Sequence, residues 1–261
     1  MTYIYSIPDV WLLLIFTAAV PLYAFLVFHV LCVLLNKRAF EHDSYYGMNM
    51  FNSTAAMTGI LLVFTLVQAI GTVQKIKVAV NDEVVAIERV DLLLANYGVQ
   101  EAELARKQLR HYVTSIVNDD WDHMLHPTDQ IRMSNELVEL SDFLVKLPST
   151  TVQEKDLYSK SNAAMSDLLK TRNTRMQFAG GSLPRIFFLG IFLLLNLSIF
   201  FYYHLSKKDR FASYTLLFQM GAIGVLVGLV VIYDNPYFGE NGVTPIYYET
   251  CLLPLPLDNS N

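Results

Sequence analysis

Six residues able to hydrogen-bond lie on one line of an otherwise apolar segment. Thr54, Thr58, Thr65, Gln68, Thr72 and Lys75 follow one another at steps of four, seven, three, four and three residues, and Leu61 fills the gap. At 3.6 residues per turn these seven positions share one helical face. Hydroxyls and an amide on such a face can replace part of the hydration shell of a small ion, and an ammonium at its end favours an anion. On that path Leu61 is an apolar constriction. The same residues have a second use. Threonines in spanning helices bond to carbonyls of their own backbone or join neighbouring helices, and spacing alone leaves both uses open.

Other groups with chemical potential are sparser. In NDDWDHMLHP, Asp119, Asp120, Asp122, His123 and His126 surround Trp121. Oxygen and imidazole donors at that spacing suit a divalent cation, but no second cluster supplies the remaining ligands, so a solvated acidic loop is expected and no metal site is assigned. His29 stands alone in an apolar run, the pattern of a neutral imidazole bonded to a neighbouring helix. Glu83 and Glu88 have Arg172 and Arg175 as candidate partners across a helical bundle. Cys32 and Cys251 lie in unlike settings and form neither a disulfide framework nor a metal site. The chain has no nucleophile elbow, phosphate loop, zinc-protease helix or dinucleotide fingerprint. Neither an enzyme nor a cofactor is expected.

The elements that carry these residues are membrane helices. Of 261 residues 53% are hydrophobic and only 16% charged, and the mean hydropathy is positive, which places the chain among membrane proteins. Residues 10–35, 186–203 and 211–233 contain no Lys, Arg, Asp or Glu, and each approaches or exceeds the roughly 20 residues needed to cross a core of about 30 Å. Residues 54–72, which hold the polar line, form a fourth and more polar span. The first run lacks a basic leader and a cleavage pattern and is expected to be retained. Pro21 falls within it and is expected to kink it.

Between the second and third spans, residues 73–185 read as an extramembrane helical domain. From Thr72 to Arg185 there are 14 Lys and Arg against 16 Asp and Glu, a balance that gives nucleic acid no basic face. Ile76, Val80, Val84, Ile87 and Leu94 keep a helical period directly out of the second span, with Asp91 a polar intruder. Asn96-Tyr97-Gly98 is a stop signal. Ala105, Leu109, Val113 and Ile116 mark a second helix ending near residues 118–120. Leu137, Leu140, Leu144 and Leu147 mark a third, closed by Pro148. Residues 151–178 form a fourth, stopped by Gly180-Gly181. The expected organisation is all-α: an N-terminal tail with two spans (1–72), the helical domain (73–185), two further spans (186–233) and a C-terminal tail (234–261).

Four stretches resemble a known family in order and spacing: VNDEVVAIERVDLLLANYG, LRHYVTSIVNDDW, KTRNTRMQFAGGSLPRIFFLGIF and IYDNPYFGENGVTP. Together they are similar to the bestrophin-like domain family of multi-pass membrane proteins, over about residues 50–250. Asn235, Pro236, Gly239 and Glu240 also resemble the Asn-Pro-Phe-Gly-Glu turn that follows the membrane in true bestrophins, which are pentameric anion channels whose second span lines the pore. The acidic run that follows this turn in animal bestrophins, and helps clasp calcium there, is replaced by Asn241, Gly242 and Val243. The resemblance implies a homo-oligomer, by analogy a pentamer, in a plasma or bacterial inner membrane. It would pass small inorganic ions along Thr54, Thr58, Leu61, Thr65, Gln68, Thr72 and Lys75. A non-conducting subunit that docks an accessory protein is the alternative. The arginines and lysines at 37, 38, 207, 208 and 210 place the short loops in the cytoplasm and the domain outside, whereas the resemblance implies a cytosolic domain, so sidedness stays open.

Overall fold

The computed structural model of the protein describes residues 8–34, 44–121, 124, 135–178, 183–205, 210–237 and 242–251. Every regular element among the described residues is helical. In order these are α1 (Asp9–Leu34), α2 (Ser44–Ala95), α3 (Gln100–Ser115), α4 (Asn135–Val145), α5 (Val152–Met176), α6 (Arg185–Leu205), α7 (Arg210–Asp234) and α8 (Ile246–Cys251). A five-residue π-helical turn, Ile116–Asp120, extends α3. Four stretches are long and apolar enough to cross a membrane: Asp9–Leu34, Asn49–Ala95, Arg185–Tyr203 and Leu216–Asp234. The chain divides into two compact units, one of Met1–Val73 with Gly181–Gly242 and the other of Gln74–Gly180 with Val243–Asn261. Among the described residues, 243–251 cluster with the second unit.

In the first unit α1 packs on α7 and α6. Small residues make the close approach: a methyl group added at Gly224 would lie 2.6 Å from the carbonyl oxygen of Phe16, and one at Gly228 would lie 3.1 Å from Leu13. This is the small-residue crossing that lets membrane helices gain dispersion contacts where lipid offers no hydrophobic drive. Pro21 sits inside an unbroken α1. The core joins Ala24, Leu62, Ile199, Tyr202, Met220 and Val230 from all four candidate spans. A polar link crosses the bundle from the Tyr23 hydroxyl to Asn196 Oδ1 at 2.8 Å. Trp11, Leu14, Phe25 and Val33 are exposed on α1, as a lipid-facing stripe requires.

The second unit is built on the C-terminal part of α2. Ile76, Val80, Ile87, Val90 and Leu94 are fully buried there, at steps of three, four and seven that keep one face inward. Asp91, the intruder in that pattern, accepts two bonds from Arg106 of α3, at 2.9 and 3.1 Å. Gly98 takes φ +66° after α2, a left-handed conformation that glycine adopts at little steric cost. Beside it the Tyr97 hydroxyl reaches the carbonyls of Pro148 and Glu154. Leu137, Leu140 and Leu144 bury the apolar face of α4 against α3. Thr151 and Glu154 close a capping box at the start of α5, satisfying two of its orphan N–H groups.

Candidate functional site

The polar line of α2 is divided. Thr54, Thr58 and Thr65 are buried within the chain, and their hydroxyls donate to carbonyls one turn back: Thr54 to Met50 at 2.9 Å, Thr58 to Thr54 at 2.7 Å and Thr65 to Leu61 at 2.6 Å. These bonds satisfy the hydroxyls without a neighbouring helix or water. Leu61 is half-buried and leans over Gly190 of α6, where an added methyl would lie 3.5 Å from its Cδ2. Thr72 is half-buried and bonds to the Gln68 carbonyl at 3.1 Å. Gln68 and Lys75 are exposed. A straight α-helix falls about 20° short of two turns every seven residues, so a line drawn through heptad steps winds around the helix. Near Thr54 it runs along the packed face, and by Lys75 it has reached open surface.

A second polar assembly lies in the unit that begins at Gln74. Glu83, on the buried face of α2, is wholly inaccessible, as is Arg175 of α5. Arg175 Nε donates to Glu83 Oε2 at 2.5 Å, and Nη2 donates to Oε1 at 3.2 Å. Glu83 also accepts from the Tyr112 hydroxyl at 2.7 Å and from the Tyr248 hydroxyl at 2.8 Å. Arg175 Nη2 reaches Asp120 Oδ2 at 3.1 Å, and Arg172 reaches the same oxygen at 3.3 Å. Two arginines therefore face two carboxylates, a balance that buried charges need. The Tyr248 ring lies 5.8 Å from the Arg175 guanidinium carbon and 6.2 Å from the Trp121 ring.

The electrostatics follow from this packing. Burial pushes the Tyr112 phenol well above its ordinary value, and the charge of Glu83 pushes it further. Burial opposes the charge on Arg175, but Glu83 outweighs it and holds the guanidinium well above its ordinary value. Both groups keep one protonation state across the physiological range, and the cluster ties together four segments: α2, α3 with its π-helical turn, α5 and α8. The π-helical turn brings Asp120 to the arginines: each of its residues advances the chain less than in an α-helix, which re-aims the side chain at its end.

The remaining candidates fall outside these two assemblies. Glu88 is exposed. Asp119 borders an open, polar groove of about 410 Å³ with Gln108, His111, Asn118, Glu136 and Glu139. Among the described residues no group of three His, Cys, Asp or Glu can hold a metal ion. Asp122, His123 and His126 lie outside the described residues, and so do Gly239 and Glu240 of the post-membrane turn. Asn235 and Pro236 are described, immediately after Asp234, whose carboxylate accepts from the Leu183 N–H at 3.0 Å. That bond ties the end of α7 to the lead-in of α6. His29 is exposed on α1. Sequence missed Tyr112, Tyr248 and the role of Asp120; their signal was only the need of a buried Glu83 for donors.

No curated protein and no solved structure matches the chain significantly. The family model of the Bestrophin-like domain matches residues 24–247, well over half the sequence. With four helices suited to a bilayer, the protein is a membrane protein and belongs to the Bestrophin-like domain family.

Proposed function

We propose that the protein is a homo-oligomeric channel for small ions, favouring anions, with α2 of each copy turned toward a shared axis. The observation that carries this reading is the open part of the polar line: Gln68 and Lys75 are exposed on α2 while Leu61 and Thr72 flank them, half-buried. A polar and cationic edge on a spanning helix needs water or protein to face, since lipid offers no partner. In this arrangement Leu61 narrows the path, Gln68 and Thr72 supply polar atoms, and Lys75 forms a ring of positive charge at one mouth. Thr54, Thr58 and Thr65 shape the helix by packing inward. The unit that starts at Gln74 stands outside the hydrocarbon core in this reading, because its buried charges and mixed surface suit water.

The test is flux through purified protein in liposomes. Reversing one charge about 4 Å from a passing ion in water changes that ion's energy by about 2 kcal/mol, roughly thirtyfold in its flux, and the sign is opposite for an anion and a cation. Lys75→Glu should therefore lower the anion-to-cation flux ratio on the order of 1,000-fold. Protein that passes no ion over a range of pH and calcium concentration overturns the proposal.

One observation favours a non-conducting subunit that docks a partner. All four threonines on the line spend their hydroxyls on their own backbone, and three of them are buried within the chain, as packing alone would have it. A foreign subunit co-purifying in fixed stoichiometry supports this reading, and a closed ring of identical chains with a wet axis opposes it.

A further inference from the structure

The unit beginning at Gln74 carries an apolar stripe that lipid does not explain. Val78, Val85 and Leu92 are spaced by seven residues along α2 and are 59%, 54% and 64% exposed. In sequence the same register runs back through Gly71 to Phe64 and Met57, both 58% exposed; there a bilayer can cover them, but the heptad continues past Lys75 into a segment rich in charge. Exposed apolar residues are ordinary when scattered singly. Repeated every seven residues, these three lie on one face as a continuous strip that another helix can cover.

Two flanks border the stripe. On one side stand Asp82 and Arg89, on the other Lys77 and Glu88, and all four are exposed. When two copies of α2 lie side by side and parallel, the first flank of one meets the second flank of the next. With the copies level, Asp82 lies one to two turns above Lys77 of the neighbour, about 7.5 Å along the axis, and Arg89 lies about 1.5 Å from the level of Glu88, and both pairs are opposite in sign. Beside Val85 a groove of about 350 Å³ opens between α2 and α5, bordered by Asp82, Arg89, Asp167 and Lys170. It is recessed enough to take an inserted side chain. Within its own protomer Arg89 makes only a loose, exposed pair with Asp167 at 3.5 Å, which leaves the guanidinium available to a second carboxylate.

We propose that this face of α2, Val78 to Leu92, is the contact surface for a second copy of the same chain, with register set by the Asp82–Lys77 and Arg89–Glu88 pairs. The contact rests on the homo-oligomer in the proposed function and specifies where copies touch outside the apolar span. It also explains why the stripe is bracketed by charge: the flanks select a parallel neighbour of like sequence and reject a slipped one, since a slip of one heptad brings Asp82 toward Glu88.

Cysteine placed at 78, 85 or 92 in a Cys32→Ser, Cys251→Ser background, and treated in native membranes with a short bismaleimide, tests the surface. All three positions should give a covalent dimer of the chain, at least tenfold more than cysteine at Lys107, an exposed position on α3. Monomer at all three positions, as expected if another part of the chain or a foreign protein covers the stripe, overturns the proposal. So does cross-linking at Lys107 to the same extent. Arg89→Glu should weaken the cross-link at 85, and adding Glu88→Arg should restore it; failure of that restoration overturns the register. Cross-linking is independent of conduction. A protein that cross-links but passes no ion sinks the channel and keeps the interface, whereas a conducting protein without the cross-link does the reverse.

Discussion

Replacing Arg175 by Met keeps much of the side-chain volume and removes the guanidinium. Glu83 then loses two of its four hydrogen bonds, those at 2.5 and 3.2 Å, and keeps the two tyrosine hydroxyls. Asp120 loses one of its two arginines. Removing one partner of a buried ion pair costs about 3–5 kcal/mol, because the other charge is stranded away from water. That is a large share of the roughly 5–15 kcal/mol that holds a domain together. Urea unfolding in detergent measures it, with Trp121 as reporter in a Trp11→Phe background, since Trp121 is buried beside Tyr248. At about 1–3 kcal/mol per molar urea, the midpoint should fall by roughly 1–5 M. Adding Glu83→Gln removes the stranded charge and should return part of the loss, a coupling of about 1.5–3 kcal/mol in the double-mutant cycle. Unchanged stability in Arg175→Met, or losses that simply add in the double variant, would refute the reasoning.

Three further outcomes are expected. Gly224→Ala should cost about 1–3 kcal/mol by forcing α1 and α7 apart, while Gly71→Ala, whose methyl meets nothing within 4 Å, should be neutral or stabilising; thermal unfolding of the two variants side by side separates them. The Thr150 hydroxyl and the Thr151 and Thr150 N–H groups hold the Glu154 carboxyl down to about 2. Its folded value lies below its unfolded one, so the cap should be intact above about pH 4.5 and lost as pH falls through about 2, seen as faster amide exchange at the start of α5 that Glu154→Gln makes independent of pH. Burial, aided by Glu88, pushes the Cys251 thiol up to about 11 from 9.0; its maleimide labelling near neutral pH should therefore run about 100-fold slower than that of an added surface cysteine.

Helical periodicity made most of the helices readable from sequence. The stop at Asn96-Tyr97-Gly98 coincides with the end of α2, and Thr151 caps α5 where the pattern restarts. The pairing of Glu83 with Arg175 was half visible. Glu83 falls on the step pattern of Ile76, Val80, Ile87 and Leu94, so its burial follows from the period, whereas Glu88 lies off that face. Asp120 was hidden because a π-helical turn has no composition of its own, and an acidic run reads as solvated. Tyr248 was hidden because its partner stands 165 residues away, beyond any local pattern. The polar line of α2 was legible as a line but not as a surface. Its slow drift around the helix decides which positions face protein, and only neighbouring helices reveal where the packed face ends.

The 165 residues between Glu83 and Tyr248 also set a clock. At about 5–20 residues per second, a ribosome needs roughly 10–30 s to deliver the second partner after the first. For most of that interval α3, α5, α6 and α7 are still being made, and Glu83 waits with its full set of donors incomplete. Closure of the cluster is therefore a late event, which must follow synthesis of every helix from α3 to α7.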